Sequence, residues 1–146
     1  MKVLHILLVD DNKADVLLVR QALREHRVEH ELHVAKDGHE ALQFVSTIGA
    51  QGALPNLDLL LLDLNLPKVD GADVLREFRK HPSCVNTPVV IVSSSGSEKD
   101  RARMNELGIS RYFQKPADLD EFMSLGAIVR EVTAPAAGAT SSAARS

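Results

Sequence analysis

Short apolar runs alternate along the chain with segments whose apolar positions recur every three or four residues. Residues 4–9 (LHILLV) predict a strand and 13–26 an amphipathic helix. Residues 31–35 (ELHVA) predict a weaker strand, followed by a helix over 38–48. The same alternation gives a strand at 57–62 and a helix at 71–80 that Pro82 ends, then a strand at 89–92 and a helix at 98–107. Residues 111–114 (RYFQ) and a helix over 118–131 complete the series. Five strand–helix pairs in strict alternation predict an α/β fold, a doubly wound five-stranded parallel sheet with five helices on its two faces.

The strand ends carry most of the information. Leu59 to Leu62 form a run with no polar position, as suits a strand buried on both faces. That run ends in Asp63, the first strand ends in Asp10 and Asp11, the fourth in Ser93 and Ser94, and the fifth in Lys115 and Pro116. In a parallel sheet these ends share one edge, where ligands bind at the topological switch point. Taken singly, each has a plain reading: Asp10 or Asp11 as a helix cap, Asp63 or Ser93 in a turn, Lys115 as a solvated charge. Together, three carboxylates on one rim repel and raise one another's pKa, a conflict that a divalent cation resolves. A small set of hard oxygen ligands with room for water and phosphate favours Mg²⁺. An ionised carboxylate on a rigid strand end can attack phosphorus, so Asp63 is the candidate nucleophile, with Lys115 and the Ser93 hydroxyl on phosphoryl oxygens.

Composition narrows the class without changing this picture. The 146 residues suit one domain, and a net charge of −3 offers no basic field for nucleic acid or an anionic membrane. A lone cysteine, Cys84, allows no internal disulfide and fits a reducing compartment. The apolar start MKVLHILLVDD runs into two aspartates rather than a cleavage site, and no run approaches the ~20 residues that span a bilayer. A cytoplasmic protein is expected. Residues 1–132 read as one domain and 133–146 (TAPAAGATSSAARS) as a disordered tail.

LLVDDN (7–12), LLDLNLPKVDG (61–71), PVVIVSS (88–94) and YFQKP (112–116), in this order and spacing, resemble the receiver domains of two-component response regulators. The resemblance runs from Ile6 to Arg130 and implies the flavodoxin-like strand order 2-1-3-4-5. It implies that Asp63 accepts a phosphoryl group from a phosphohistidine on a sensor histidine kinase, and that the protein is not an enzyme acting on a separate substrate. It also implies that Asp11, Asp63 and the backbone carbonyl of Asn65 ligate Mg²⁺, with Asp10 acting through a metal-bound water. The same resemblance implies that Lys115 contacts the phosphoryl group, that Ser93 and Tyr112 form the switch pair, and that the Lys115–Pro116 bond is cis. DDNKADVLLVRQAL, the long 47–57 connection and SSSGSEKD further resemble stand-alone regulators paired with bacterial phytochrome kinases, which implies a bacteriophytochrome partner. No DNA-binding output segment is read, so signalling by protein contact or onward phosphotransfer is expected.

The alternative is a Mg²⁺-dependent phosphohydrolase of the haloacid dehalogenase type, with an Asp nucleophile. Those enzymes carry a second aspartate two residues on as acid and base. Here that position is Asn65. A flavodoxin-like electron carrier is opposed by the acidic DDNKAD loop, which repels phosphate. His26, His30 and His33 read as a solvated helix end, since no HExxH pattern accompanies them. In the first helix, Val16 and Leu17 exceed the inward stripe and suit either edge burial or a kinase-docking surface. The last helix shows an inward stripe of Leu119, Phe122, Met123 and Val129, and a second of Leu125, Ile128 and Val132. The second stripe predicts a homodimer through the fourth helix, fifth strand and fifth helix.

Overall fold

The computed structural model describes residues 3–52, 54–67 and 69–134. Its elements are β1 (Leu4–Val9), α1 (Lys13–Glu25), β2 (His30–Ala35), α2 (Gly38–Ser46), β3 (Leu59–Leu62), α3 (Gly71–Lys80), β4 (Val89–Ser93), α4 (Glu98–Glu106), β5 (Arg111–Gln114), α5 (Leu119–Met123) and α6 (Leu125–Thr133). All strand pairs are parallel and the order is β2-β1-β3-β4-β5, the flavodoxin-like arrangement. A short 3₁₀ turn, Pro82–Cys84, follows α3, capped by the His81 side chain.

The leucine run is now explained by strand alternation. Leu60 and Leu62 enter one core with Leu7, Val9 and Ile91, closed by Val74, Leu75 and Phe78 of α3 and Val45 of α2. Leu59 and Leu61 enter the other with Ile6, Leu8, Val90 and Val92, closed by α1, α5 and α6. All four are fully buried. At roughly 1.5–3 kcal/mol per buried side chain, this strand is among the strongest anchors in the sheet, and its end is a rigid platform for Asp63.

Caps set the helix starts. Asn12 accepts from the Ala14 and Asp15 N–H groups, Asp37 from Glu40, Asp70 from Ala72, Ser97 from Asp100, and Asp118 from Asp120. Two close approaches exclude side chains. A Cβ on Gly71 would lie 3.0 Å from the Leu64 Cα and 3.3 Å from the Asp63 carbonyl, and one on Gly126 would collide with the Ala22 carbonyl of α1.

The last helix departs from expectation. It breaks at Ser124, whose N–H and hydroxyl both bond the Glu121 carbonyl, a local competition that tightens the turn. Leu125 is fully buried, and Ile128 and Val132 are half-buried against the same core, so the second apolar stripe is not free. Leu119, expected inside, is 62% exposed at the first helical position, ahead of the packed turn of Phe122 and Met123. Of the expected tail, Thr133 ends α6 and Ala134 caps it; residues 135–146 lie outside the described residues.

The three histidines also separate. His26 caps the C-terminus of α1 as a helix-end residue, with Arg130 on its carbonyl. His30 and His33 instead belong to β2, because the chain turns at Arg27, which adopts φ 55°. His33 is half-buried beside His5 and Phe44. Its pKa is held below the usual histidine range by burial and then by the His5 imidazole.

Candidate functional site

Register brings the acidic residues together. Val9 pairs with Leu62, so the next residues of the two strands, Asp10 and Asp63, emerge side by side, and the Asp63 N–H bonds the Val9 carbonyl at 3.0 Å. Carboxylate oxygens of Asp10, Asp11 and Asp63 lie within 4.8 Å of one another. Asp10 and Asp63 are buried, whereas Asp11 is exposed on the rim. Local turns fix both buried carboxylates: Asp10 Oδ1 accepts the Asn12 N–H at 2.9 Å, and Asp63 Oδ1 accepts the Asn65 N–H at 3.1 Å.

Lys115 arrives from the end of β5, its own N–H bonded to the Ser93 carbonyl at 2.7 Å. Its ammonium donates to Asp10 Oδ2 at 3.1 Å, Asp63 Oδ2 at 3.0 Å and Asp15 Oδ2 at 2.7 Å. Burial alone would lower its pKa, but bonds to Asp15 and Asp63 and the charge of Asp10 outweigh it and hold Lys115 above the usual lysine range. Burial lifts Asp10 above the usual carboxylate range, with the charge of Asp63 adding to it, against the Asn12 N–H and Lys115. Among the described residues, three carboxylates thus hold the Lys115 ammonium and a fourth, exposed Asp11, stands beside Asp10 and Asp63, a net negative site that fits a hard divalent cation.

A cleft of about 490 Å³ opens over these groups, lined by Asp11, Asp15, Asp63, Asn65, Ser94 and Lys115, with Pro116 at its edge. Ser93 is fully buried at the end of β4, and its Oγ accepts the Ser95 N–H at 3.2 Å. Tyr112 is half-buried; its hydroxyl donates to the Ser95 carbonyl at 2.8 Å, and the Arg101 guanidinium sits 4.5 Å from its ring centroid. Ser95 therefore joins Ser93 to Tyr112 through its backbone, and its hydroxyl also donates to Asp100 at 2.6 Å. Among the described residues every peptide bond is trans, Lys115–Pro116 included, contrary to the expected cis bond.

All the predicted site residues but one meet at this edge; Tyr112 stands one step back, joined through Ser95. Sequence reasoning missed Asp15 and Ser95. Asp15 was legible only as a first-turn acid of α1, the ordinary place for a carboxylate. Beside the site, Leu17 is 66% exposed and Val34 41%, lining a second cleft with Lys13, Arg20, Lys36 and Val16, the last of which also packs partly on the core.

Residues 6–125 match the family model of the response regulator receiver domain. The chain is 39% identical over 120 residues to the response regulator Rcp1 of Synechocystis sp., covering 82% of each protein. Among solved structures it is similar to the phosphorylated cyanobacterial phytochrome response regulator RcpA, with TM-score 0.80 and 36% identity over 92% of this chain and 96% of that one. It is likewise similar to the Mn²⁺-bound form of Rcp1, with TM-score 0.77 and 37% identity over 90% and 95% of the two chains.

Proposed function

The chain belongs to the response regulator receiver domain family, and from that premise we propose that Asp63 accepts a phosphoryl group from the phosphohistidine of a sensor histidine kinase. The observation that carries this reading is the buried Asp63 carboxylate, fixed at the end of β3 and held by Lys115 beside Asp10 and Asp11. In the transfer, an Asp63 oxygen forms a bond to phosphorus as the donor P–N bond breaks, and the departing imidazole keeps the bonding pair. Lys115 stays protonated throughout and follows charge from the carboxylate onto a phosphoryl oxygen. Asp10, Asp11, Asp63 and the Asn65 carbonyl would hold Mg²⁺, which when bound offsets charge on the phosphoryl oxygens. The similarity to a Mn²⁺-bound relative supports a divalent cation here.

Catalysis is confined to the protein's own phosphorylation and dephosphorylation. Asn65 lacks the acid–base function that the phosphohydrolase reading needs. The Ser93–Ser95–Tyr112 relay then reports the event. When the Ser93 hydroxyl turns to the phosphoryl group, the Ser95 N–H loses its acceptor and the carbonyl that holds Tyr112 shifts.

The partner is a histidine kinase of the bacteriophytochrome type, a reading supported by the similarity to a phytochrome response regulator. Exposed Leu17 and Val34, next to Asp11, suit its docking surface. No helix among the described residues is long and apolar enough to cross a membrane. The reading places the protein in the cytoplasm with its kinase, without a role on nucleic acid. A homodimer through α4, β5 and the last helix, here α5 and α6, has fewer apolar residues to use than the sequence suggested, and light scattering with and without phosphodonor tests it. The test of the function is phosphotransfer: a labelled kinase loses its phosphate to wild type and not to Asp63→Asn. Equal transfer to the variant would refute the assignment.

A further inference from the structure

At the opposite edge of the sheet, β1 and β2 begin with a second cluster of possible ligands. His5 pairs with Glu31 across the parallel ladder, and His33 lies two residues further on, so all three side chains project from one face. His5 Nδ1 and His33 Nε2 are 3.4 Å apart, and the Glu31 carboxylate completes a set whose ligand atoms all lie within 4.8 Å of one another. The two imidazoles are stacked with centroids 5.7 Å apart, and the Phe44 ring of α2 lies 5.0 Å from His33.

From this juxtaposition of His5, Glu31 and His33 we infer a second metal site, one for a zinc-type divalent transition-metal ion. Two nitrogens bound tetrahedrally at ~2.0–2.1 Å stand about 3.3 Å apart, which matches the 3.4 Å between His5 Nδ1 and His33 Nε2 here. An N–H···N hydrogen bond accounts for the ring pair alone, but not for a carboxylate within reach of both. Two imidazoles and one carboxylate are borderline donors that suit Zn²⁺, Co²⁺ or Ni²⁺, whereas Mg²⁺ prefers an all-oxygen set like that around Asp63. Three protein ligands leave further positions for water. Backbone pairing of β1 with β2 holds the donors in place, so little ordering entropy opposes binding. His5 and Asp10 are five residues apart on one strand, about 16 Å, so the two sites are separate.

Co²⁺ titration in the presence of saturating Mg²⁺ tests this, with Mg²⁺ occupying the acidic cluster. One Co²⁺ per chain is expected, with the visible absorption of nitrogen coordination, and Zn²⁺ should displace it. His33→Gln should weaken binding roughly tenfold or more. Glu31→Gln, at an exposed position where folding is not at stake, should weaken it too, whereas Asp11→Asn should leave it unchanged. Wild-type affinity in Glu31→Gln and His33→Gln, absence of binding by wild type, or loss of binding in Asp11→Asn would each overturn the inference.

Discussion

The Lys115 ammonium lies closer to Asp15, at 2.7 Å, than to Asp63 at 3.0 Å or Asp10 at 3.1 Å. The partner of this pair comes from the first turn of α1, not from a strand end. Its side chain is 19% exposed and that of Lys115 12%, so water screens the pair only weakly. Asp15 therefore competes with Asp63 for the Lys115 ammonium, and adds a negative charge where an anionic phosphodonor must approach.

Asp15→Asn should accelerate phosphorylation of Asp63 by a small donor several-fold, roughly 1 kcal/mol of barrier, since Lys115 is released to the phosphoryl oxygens. Stopped-flow or timed mass measurements with acetyl phosphate at fixed Mg²⁺ read this directly. A slower variant would show that Asp15 serves to orient Lys115 rather than to restrain it.

Covalent labelling localises the acceptor. Wild type incubated with Mg²⁺ and acetyl phosphate should gain the mass of one phosphoryl group, and Asp63→Asn should gain none, because an amide is a poor nucleophile. Asp11→Ala retains the nucleophile but gives up the exposed ligand. Its Mg²⁺ affinity, read by calorimetry, should fall.

Asp10 gives a pH dependence with a definite sign. Its folded-state pKa is raised above the ordinary 3.8, so between those values the folded protein binds more protons than the unfolded chain. The contribution of this group to stability falls as pH rises through that window, and its cost is fully present at neutral pH. Asp10→Asn should stabilise the metal-free protein at pH 7 by about 1 kcal/mol, an advantage that disappears as pH approaches 4. Mg²⁺ should stabilise wild type, because it binds only the folded site. Thermal melts in chelator and in Mg²⁺ decide both points; a lower melting temperature for the variant in chelator contradicts the crowding.

The packing of α5 and α6 gives a contrast between two leucines, one at the start of each helix. Leu125→Ala, at a fully buried position, should cost ~2–5 kcal/mol in denaturant unfolding, whereas exposed Leu119→Ala should stay within ~0.5 kcal/mol. If Leu125→Ala changed oligomeric state while leaving stability intact, the residue would belong to an interface after all.

The sequence by itself determined the strands, the helices and the edge where the chemistry lies. Those features depend on periodicities of two and 3.6 residues and on a topology rule that sends every parallel strand end to one rim. Asp10, Asp11, Asp63, Ser93 and Lys115 were legible because each sits one or two steps past an apolar run, and Asn65 only through the resemblance to receiver domains. Only tertiary structure decided what depends on distance in space between parts remote in sequence. Asp15 meets Lys115 across 100 residues of chain, and no local pattern distinguishes it from any acid in a first helical turn. His33 reads as polar in sequence, yet the parallel register places it beside His5 under Phe44. The two stripes of the last helix lie close in phase, with Leu125 three residues after Phe122 and four before Val129, so packing against α1 rather than periodicity decides the boundary: Leu125 joins the core, and Ile128 and Val132 are half-buried against it.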